Sequence, residues 1–357
     1  MNQVNKEFKI LSIDGGGIRG IIPSKFLSNL EAHVSKEKGE EVKLNEYFDL
    51  ICGTSTGGII AIGLGLGMKA NEIHELYEKN ATKIFGSPIK KWYLTGKQIF
   101  RAKHKRDNLS NLLKEIFSKY SDDSDTRLGH SKTRLCIPTF NAGEDKTVVL
   151  KTSHHTGLFK DYQIPAYQVA LATSAAPIYF KPFTINYKTK NDSNTEVTIP
   201  NMLDGGVFAN NPTLIGLSEA LALGYKFEDI KILSIGTGLC KLTRNTKKVP
   251  NEGIFSWLSL TKKLPLIQKM MRSQSEIIEN VMKFIVDGIH NDKDERIFYQ
   301  RLQTYFIDED IELDDTSPSK IKILNDKGNN MFHDSDKRLL ETFFKNKVEQ
   351  YKPYHQV

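Results

Sequence analysis

The stretch that decides the fold is FDLICGTSTGGIIAIGLGL, residues 48–66. Tyr47 to Cys52 suits a strand buried on both faces, Gly53-Thr54-Ser55-Thr56-Gly57-Gly58 breaks it, and Gly57 to Leu66 resumes as an apolar helix. A strand that hands a glycine-bounded serine to a helix has the form of a nucleophile elbow. The backbone there turns so sharply that side chains two positions either side of the serine, here Gly53 and Gly57, would collide with strand and helix. Such a turn exposes the serine Oγ above the sheet at a helix N-terminus, where the dipole and the following N–H favour a developing negative charge. The same residues also fit a glycine-softened turn with a capping serine, so catalysis by Ser55 needs support from elsewhere in the chain.

Upstream, Phe8 to Ile13 forms a second strand candidate that runs into Asp14-Gly15-Gly16-Gly17-Ile18-Arg19-Gly20, after which Ile21 to Leu30 has helical spacing. Three consecutive glycines let backbone N–H groups point outward at a helix start, which makes an anion cradle or simply a tight turn. Gly15, Gly17 and Gly20 satisfy G-x-G-x-x-G, and Glu40 lies 20 residues beyond the last of them. The dinucleotide reading fails on context, because Ser35 to Glu41 is a charged run with no apolar strand before it.

Further strands are expected at Arg134 to Phe140, Thr147 to Lys151 and Lys231 to Ile235, and further helices at Pro23 to Val34, Ala70 to Thr82 and Pro212 to Leu223. Strands alternating with helices point to an α/β fold with a mostly parallel sheet, whose ligands bind at the carboxyl ends of the strands. A serine needs a base. None of the nine histidines lies in a glycine-rich loop after a strand, whereas Asp204 ends a short apolar approach and is followed by Gly205, Gly206 and later Asn211-Pro212, a cap and first helical position. Asp-Gly is also a common turn dipeptide.

The chain has 357 residues, 50 Lys and Arg against 43 Asp and Glu, a net charge of +7 and 39% apolar residues, which excludes low-complexity disorder and a polytopic membrane protein. Leu50 to Met68 is uncharged but carries six glycines, which argues against a membrane span. The opening MNQVNKEFKI lacks a secretory pattern, and Cys52, Cys136 and Cys240 form neither a disulfide framework nor a zinc pattern, so a cytoplasmic location is expected. The positive charge is concentrated. Lys83 to Arg106 and Lys241 to Arg272 each hold eight Lys or Arg, with Trp92, Tyr93, Phe255 and Trp257 among them, while Asp308 to Asp315 holds six carboxylates. The basic, aromatic segments suit an anionic lipid surface, giving peripheral membrane association, or a solvated face. No nucleic-acid motif accompanies them.

Taken together, DGGGIRG (14–20), GTSTGG (53–58) and DGGVFANNP (204–212), with ATSAAPIYFKP (172–182) and ILSIGTG (232–238), resemble the patatin-like phospholipases over about residues 8–240. The resemblance implies a patatin-like three-layer α/β/α sandwich with a mostly parallel central sheet. It also implies a Ser-Asp dyad without histidine, Ser55 as nucleophile and Asp204 as base, acting on fatty acyl esters of membrane phospholipids. Amides around Gly15, Gly16 and Gly17 would form the oxyanion hole with Arg19 holding the loop, and Gly20, Gly53, Gly57, Gly205 and Gly206 would support the motifs. No metal or cofactor is implied.

Residues 241–357, with the basic segment 241–272, are expected to pack on the same domain, and Ile297 to Gln303 resembles a late strand of the family. Some bacterial members are antiphage effectors switched on by a cyclic nucleotide, which makes such an activator a candidate partner. Two alternatives stay open: a Ser-Asp-His esterase of small soluble esters with His290 or His333 as base, and a nucleotide-binding sensor without chemistry.

Overall fold

The computed structural model describes residues 7–85, 106–122, 125–177, 179–190, 194–241, 265–288, 298–307 and 311–357. Its strands are β1 (Phe8–Ile13), β2 (Leu50–Gly53), β3 (Arg134–Asn141), β4 (Lys146–Lys151), β5 (Phe183–Lys188), β6 (Glu196–Asp204), β7 (Ile230–Ile235), β8 (Leu239–Lys241), β9 (Phe298–Leu302) and β10 (Tyr305–Ile307). Its helices are α1 (Ile21–Lys38), α2 (Thr56–Leu66), α3 (Ala70–Phe85), α4 (Asp107–Phe117), α5 (Ala166–Thr173), α6 (Gly206–Ala209), α7 (Thr213–Ala222), α8 (Pro265–Gly288), α9 (Pro318–His333) and α10 (Arg338–Phe343). Eight strands form one sheet in the order β5-β6-β3-β2-β1-β7-β9, with β4 on the other edge of β3. The pairs β1–β2, β1–β7, β2–β3 and β7–β9 are parallel.

All six residues of β1 are buried, which a half-covered strand could not show. Leu11 and Ile13 pack into the core with Ile22, Phe26 and Leu30 of α1 and with α2, while Phe8 and Ile10 pack with Leu217 and Ala220 of α7 and Met282 of α8. Helices therefore cover both faces of a mostly parallel sheet. β9 extends that sheet, and the Lys9 ammonium, buried at the start of β1, donates to the carbonyls of Phe343 (3.1 Å) and Asn346 (2.9 Å).

The structure shifts some expected boundaries. β2 starts at Leu50 and not Tyr47, because a 3-10 turn at Leu44–Glu46 precedes it and the Asp49 carboxylate accepts the Lys9 N–H (2.9 Å) instead of continuing the strand ladder. α7 starts at Thr213, with Pro212 as its N-cap and the Asn211 side chain capping one position further out, where Oδ1 accepts the Thr213 N–H (3.1 Å). α2 ends where Gly67 takes φ 88° and Met68 and Gly67 donate to the carbonyls of Gly63 and Leu64. No helix among the described residues is long and apolar enough to cross a membrane. Trp92, Tyr93, Phe255, Trp257 and His290, like most of the two basic segments, lie outside the described residues.

Candidate active site

Three strands bring the proposed nucleophile and base together. β2 pairs with the first part of β3 (Cys52↔Cys136), and β6, running the opposite way, pairs with its last part (Thr139↔Asp204). Because β4 occupies the far edge of β3, β2 and β6 share the near edge and approach end to end. Ser55, two positions beyond β2, therefore meets Asp204, the last residue of β6, although 149 positions separate them in the chain.

The Ser55 Oγ donates to the Asp204 Oδ2 at 2.6 Å, and both residues are buried. Ser55 sits at φ 55°, ψ −122°, a conformation disfavoured for any residue with a Cβ and held here by its surroundings. Its N–H donates to Thr173 Oγ1 (3.0 Å), whose own hydroxyl donates to the Pro138 carbonyl (2.6 Å), and Thr54 Oγ1 donates to the Ala209 carbonyl (2.6 Å). Gly57 has no alternative: a Cβ there would lie 2.3 Å from the Ile13 carbonyl oxygen. Gly205 is similarly confined, since a Cβ there would lie 2.3 Å from the Pro138 carbonyl oxygen, and Gly206 donates its N–H to Asp204 Oδ1 (2.7 Å).

Burial raises the Asp204 carboxyl from its ordinary 3.8 to about 7; the hydrogen bonds from Ser55 and Gly206 and the charge of Arg106 oppose that rise without cancelling it. A carboxylate with this affinity for a proton can take one from a serine hydroxyl and return it near neutral pH.

The glycine loop lies beside this pair. A Cβ on Gly15 would lie 3.1 Å from the Ser55 Cβ, so the loop passes directly over the nucleophile. The Gly15 N–H is already committed to the Asn210 carbonyl (3.0 Å), and its carbonyl accepts from Thr237 Oγ1 (2.8 Å). Among the described residues Gly16 and Gly17 have no acceptor for their N–H groups, which leaves two of the three expected amides for an oxyanion. Gly17 has φ 56°, and a Cβ there would lie 2.3 Å from the Leu313 carbonyl oxygen, which also accepts the Ile18 N–H (2.8 Å). Gly20 packs on the Thr56 side chain. Arg19 fastens the loop from behind: Nε donates to the Ile311 carbonyl (2.7 Å), and its guanidinium lies 5.9 Å from the Phe306 ring centroid.

The strongest anchor was not expected from sequence. Arg301, on β9, grips Asp14 at both carboxylate oxygens (2.8 and 2.6 Å) and donates to Ser234 Oγ (2.8 Å). Both partners are buried; desolvation pushes the Asp14 carboxyl up, and the guanidinium pulls it back. Arg301 lies within the quoted late strand, but nothing in the sequence marks it as the partner of a residue 287 positions away.

A pocket open to solvent is lined by Ser55 and Asp204 together with Ile59, Ile84, Phe85 and Leu109. Its walls suit an acyl chain. No histidine lines it, and among the described histidines none bonds Ser55; His333 closes the last turn of α9, away from the pocket. Cys136, His154 and Glu219 come within 4.8 Å of one another and have metal-ligand chemistry. However, His154 already bonds Glu219 (2.8 Å) and Thr152 (2.9 Å), and the Lys151 ammonium pairs with Glu219, so the network balances its own charge.

Comparisons with known proteins give the chain its family. The family described as patatin-like phospholipase matches residues 11–217. A cGAMP-activated phospholipase of Vibrio cholerae serotype O1 is 37% identical over 246 residues, covering 66% of this chain and 65% of the relative. A protein with the same description from Pseudomonas aeruginosa is 32% identical, covering 64% of this chain and 62% of the relative. Patatin-like protein 1 of Arabidopsis thaliana is 31% identical, covering 75% and 68%. The matches thus span slightly under two thirds of the two bacterial relatives.

Proposed function

The chain belongs to the patatin-like phospholipase family, and from that premise we propose that it is a serine acyl hydrolase that cleaves fatty acyl esters of membrane glycerophospholipids. The observation that carries the reading is the 2.6 Å bond from a strained, elbow-borne Ser55 to Asp204 at the head of an apolar pocket. Ser55 Oγ attacks the ester carbonyl carbon while its proton passes to Asp204 Oδ2. The Gly16 and Gly17 amides receive the oxyanion, with Arg19 and Arg301 holding the loop in place. Each such donor is typically worth ~10²- to 10³-fold in rate. When the tetrahedral intermediate collapses, Asp204 gives the proton to the departing lysolipid oxygen and Ser55 keeps the acyl group. Water then attacks the acyl-enzyme, Asp204 takes its proton, and collapse returns that proton to Ser55 as the fatty acid leaves.

The 8–240 core and the segments after it act as one unit in this reading, since β9 supplies Arg301. The bacterial relatives are described as cGAMP-activated, and we extend to this chain activation by a cyclic nucleotide, a role in defence against viruses, and a cytoplasmic location with membrane contact during turnover. Mass spectrometry of mixed phospholipids incubated with the protein, with and without cGAMP, tests the reading. Free fatty acid and lysolipid in equal amounts are expected; products cleaved at the phosphate would refute it.

A further inference from the structure

Arg106 is the N-cap of α4, the helix whose Leu109 lines the pocket. Its guanidinium sits 5.2 Å from the ring centroids of both Phe180, which lines the pocket, and Phe183. It donates one hydrogen bond, from Nη2 to the Lys181 carbonyl (2.8 Å), and among the described residues its Nε and Nη1 have no acceptor. Asp204 is near enough to feel its charge, yet no ion pair joins them, and both oxygens of that carboxylate are taken by Ser55 and Gly206. Burial between the rings draws the guanidinium down to about 10, so it stays charged at neutral pH, and among the described residues it has no counter-ion in contact.

A partly desolvated guanidinium with one planar edge of N–H groups unspent is suited to a tetrahedral oxyanion held at two points. In a glycerophospholipid the phosphodiester lies only a few bonds from the acyl ester. A group that bound the phosphate at Arg106 would leave the ester carbonyl near Ser55 and the chain in the pocket. We propose that Arg106 forms a phosphate-ester subsite that selects acyl esters bearing a phosphate over neutral ones. This rests on the acyl-hydrolase reading of Ser55 and assigns a residue that sets its preference for phospholipids.

The test uses the full chain and two lipids with the same acyl chains, dioleoylphosphatidylglycerol and dioleoylglycerol, in the same non-ionic micelles at pH 9, where Asp204 is ionised. A charge-assisted hydrogen bond contributes enough that Arg106→Gln should lower the ratio of kcat/KM for phospholipid over diacylglycerol ~10- to 100-fold. Arg106→Lys, which keeps the charge but not the fork, should lower it less. Independently of any variant's folding, glycerol 3-phosphate should inhibit dioleoylglycerol hydrolysis by the wild type. If that inhibition disappears in Arg106→Gln while the lipid ratio holds, the subsite stands but takes a free phosphate ester and not the substrate's. An unchanged ratio together with no glycerol 3-phosphate effect overturns the proposal and leaves Arg106 acting only through Asp204. Ser55→Ala separates the two readings: if it still hydrolyses both lipids, the acyl-hydrolase reading fails, whatever the ratio shows.

Discussion

Asp204→Asn should make the protein more stable and nearly inactive. The amide keeps the shape of the carboxylate and still accepts the Gly206 N–H, but it cannot take a proton from Ser55. Burial raises the carboxyl from 3.8 to about 7, so the folded wild type binds more protons than the unfolded chain between those values. Its stability therefore falls as pH rises from about 4 to 7 and stays level above that. Three units correspond to roughly 4 kcal/mol of disfavoured ionisation at pH 8, all of which the amide escapes. The hydrogen bonds from Ser55 and Gly206 are already contained in the value of about 7. For 357 residues roughly 4 kcal/mol is worth about 5 °C in Tm. Calorimetry of both proteins from pH 4 to 8.5 reads the difference, and comparing variant with wild type removes Glu31 and Asp49, whose carboxyls are raised to about 7 and about 6. The difference in Tm should start near zero at pH 4 and grow through pH 7. A variant that melts lower by the same amount at every pH would refute the account of the buried carboxyl.

Two further outcomes concern the scaffold. Arg301→Gln leaves the Asp14 carboxylate buried without its partner and should cost about 3–5 kcal/mol in chemical denaturation; if the variant folds, its kcat should fall because the glycine loop loses its anchor. Gly57→Ala drives a methyl group into the Ile13 carbonyl at 2.3 Å, so soluble expression should collapse, and a well-folded variant with wild-type Tm would show that the elbow is less tightly packed than described.

The sequence made the inner sheet legible because its strands are short, apolar and bounded by glycine: β1 falls at the expected Phe8–Ile13, and β3, β4 and β7 lie within one residue of expectation. β5 and β6 were not legible as strands. They form a half-exposed hairpin in which polar residues alternate with partly buried ones, so no apolar run announces them, and only the last residues of β6 showed as an approach to Asp204. The two loops that carry Ser55 and Asp204 were legible through glycines that tolerate no Cβ. Their meeting was not, since it depends on β2 and β6 sharing one edge of β3. Nor could glycine spacing tell which amides stay free: Gly15 spends its N–H on Asn210, a contact set by tertiary packing. Arg301 and Arg106 escaped for the same reason: one sits inside a late strand and the other ends a basic segment, and the partners that give them a role are distant in the chain.

Everything in the proposed reaction depends on Ser55 being activated by Asp204. The most direct measurement is the rate at which a fluorophosphonate labels the protein between pH 5 and 9, with the modified peptide located by mass spectrometry. The account predicts a single adduct on Ser55, forming at a rate that rises through a midpoint near 7 and falls by ~10²- to 10⁴-fold in Asp204→Asn. An adduct on another residue, or labelling of Ser55 that is equally fast without the Asp204 carboxylate, would contradict it.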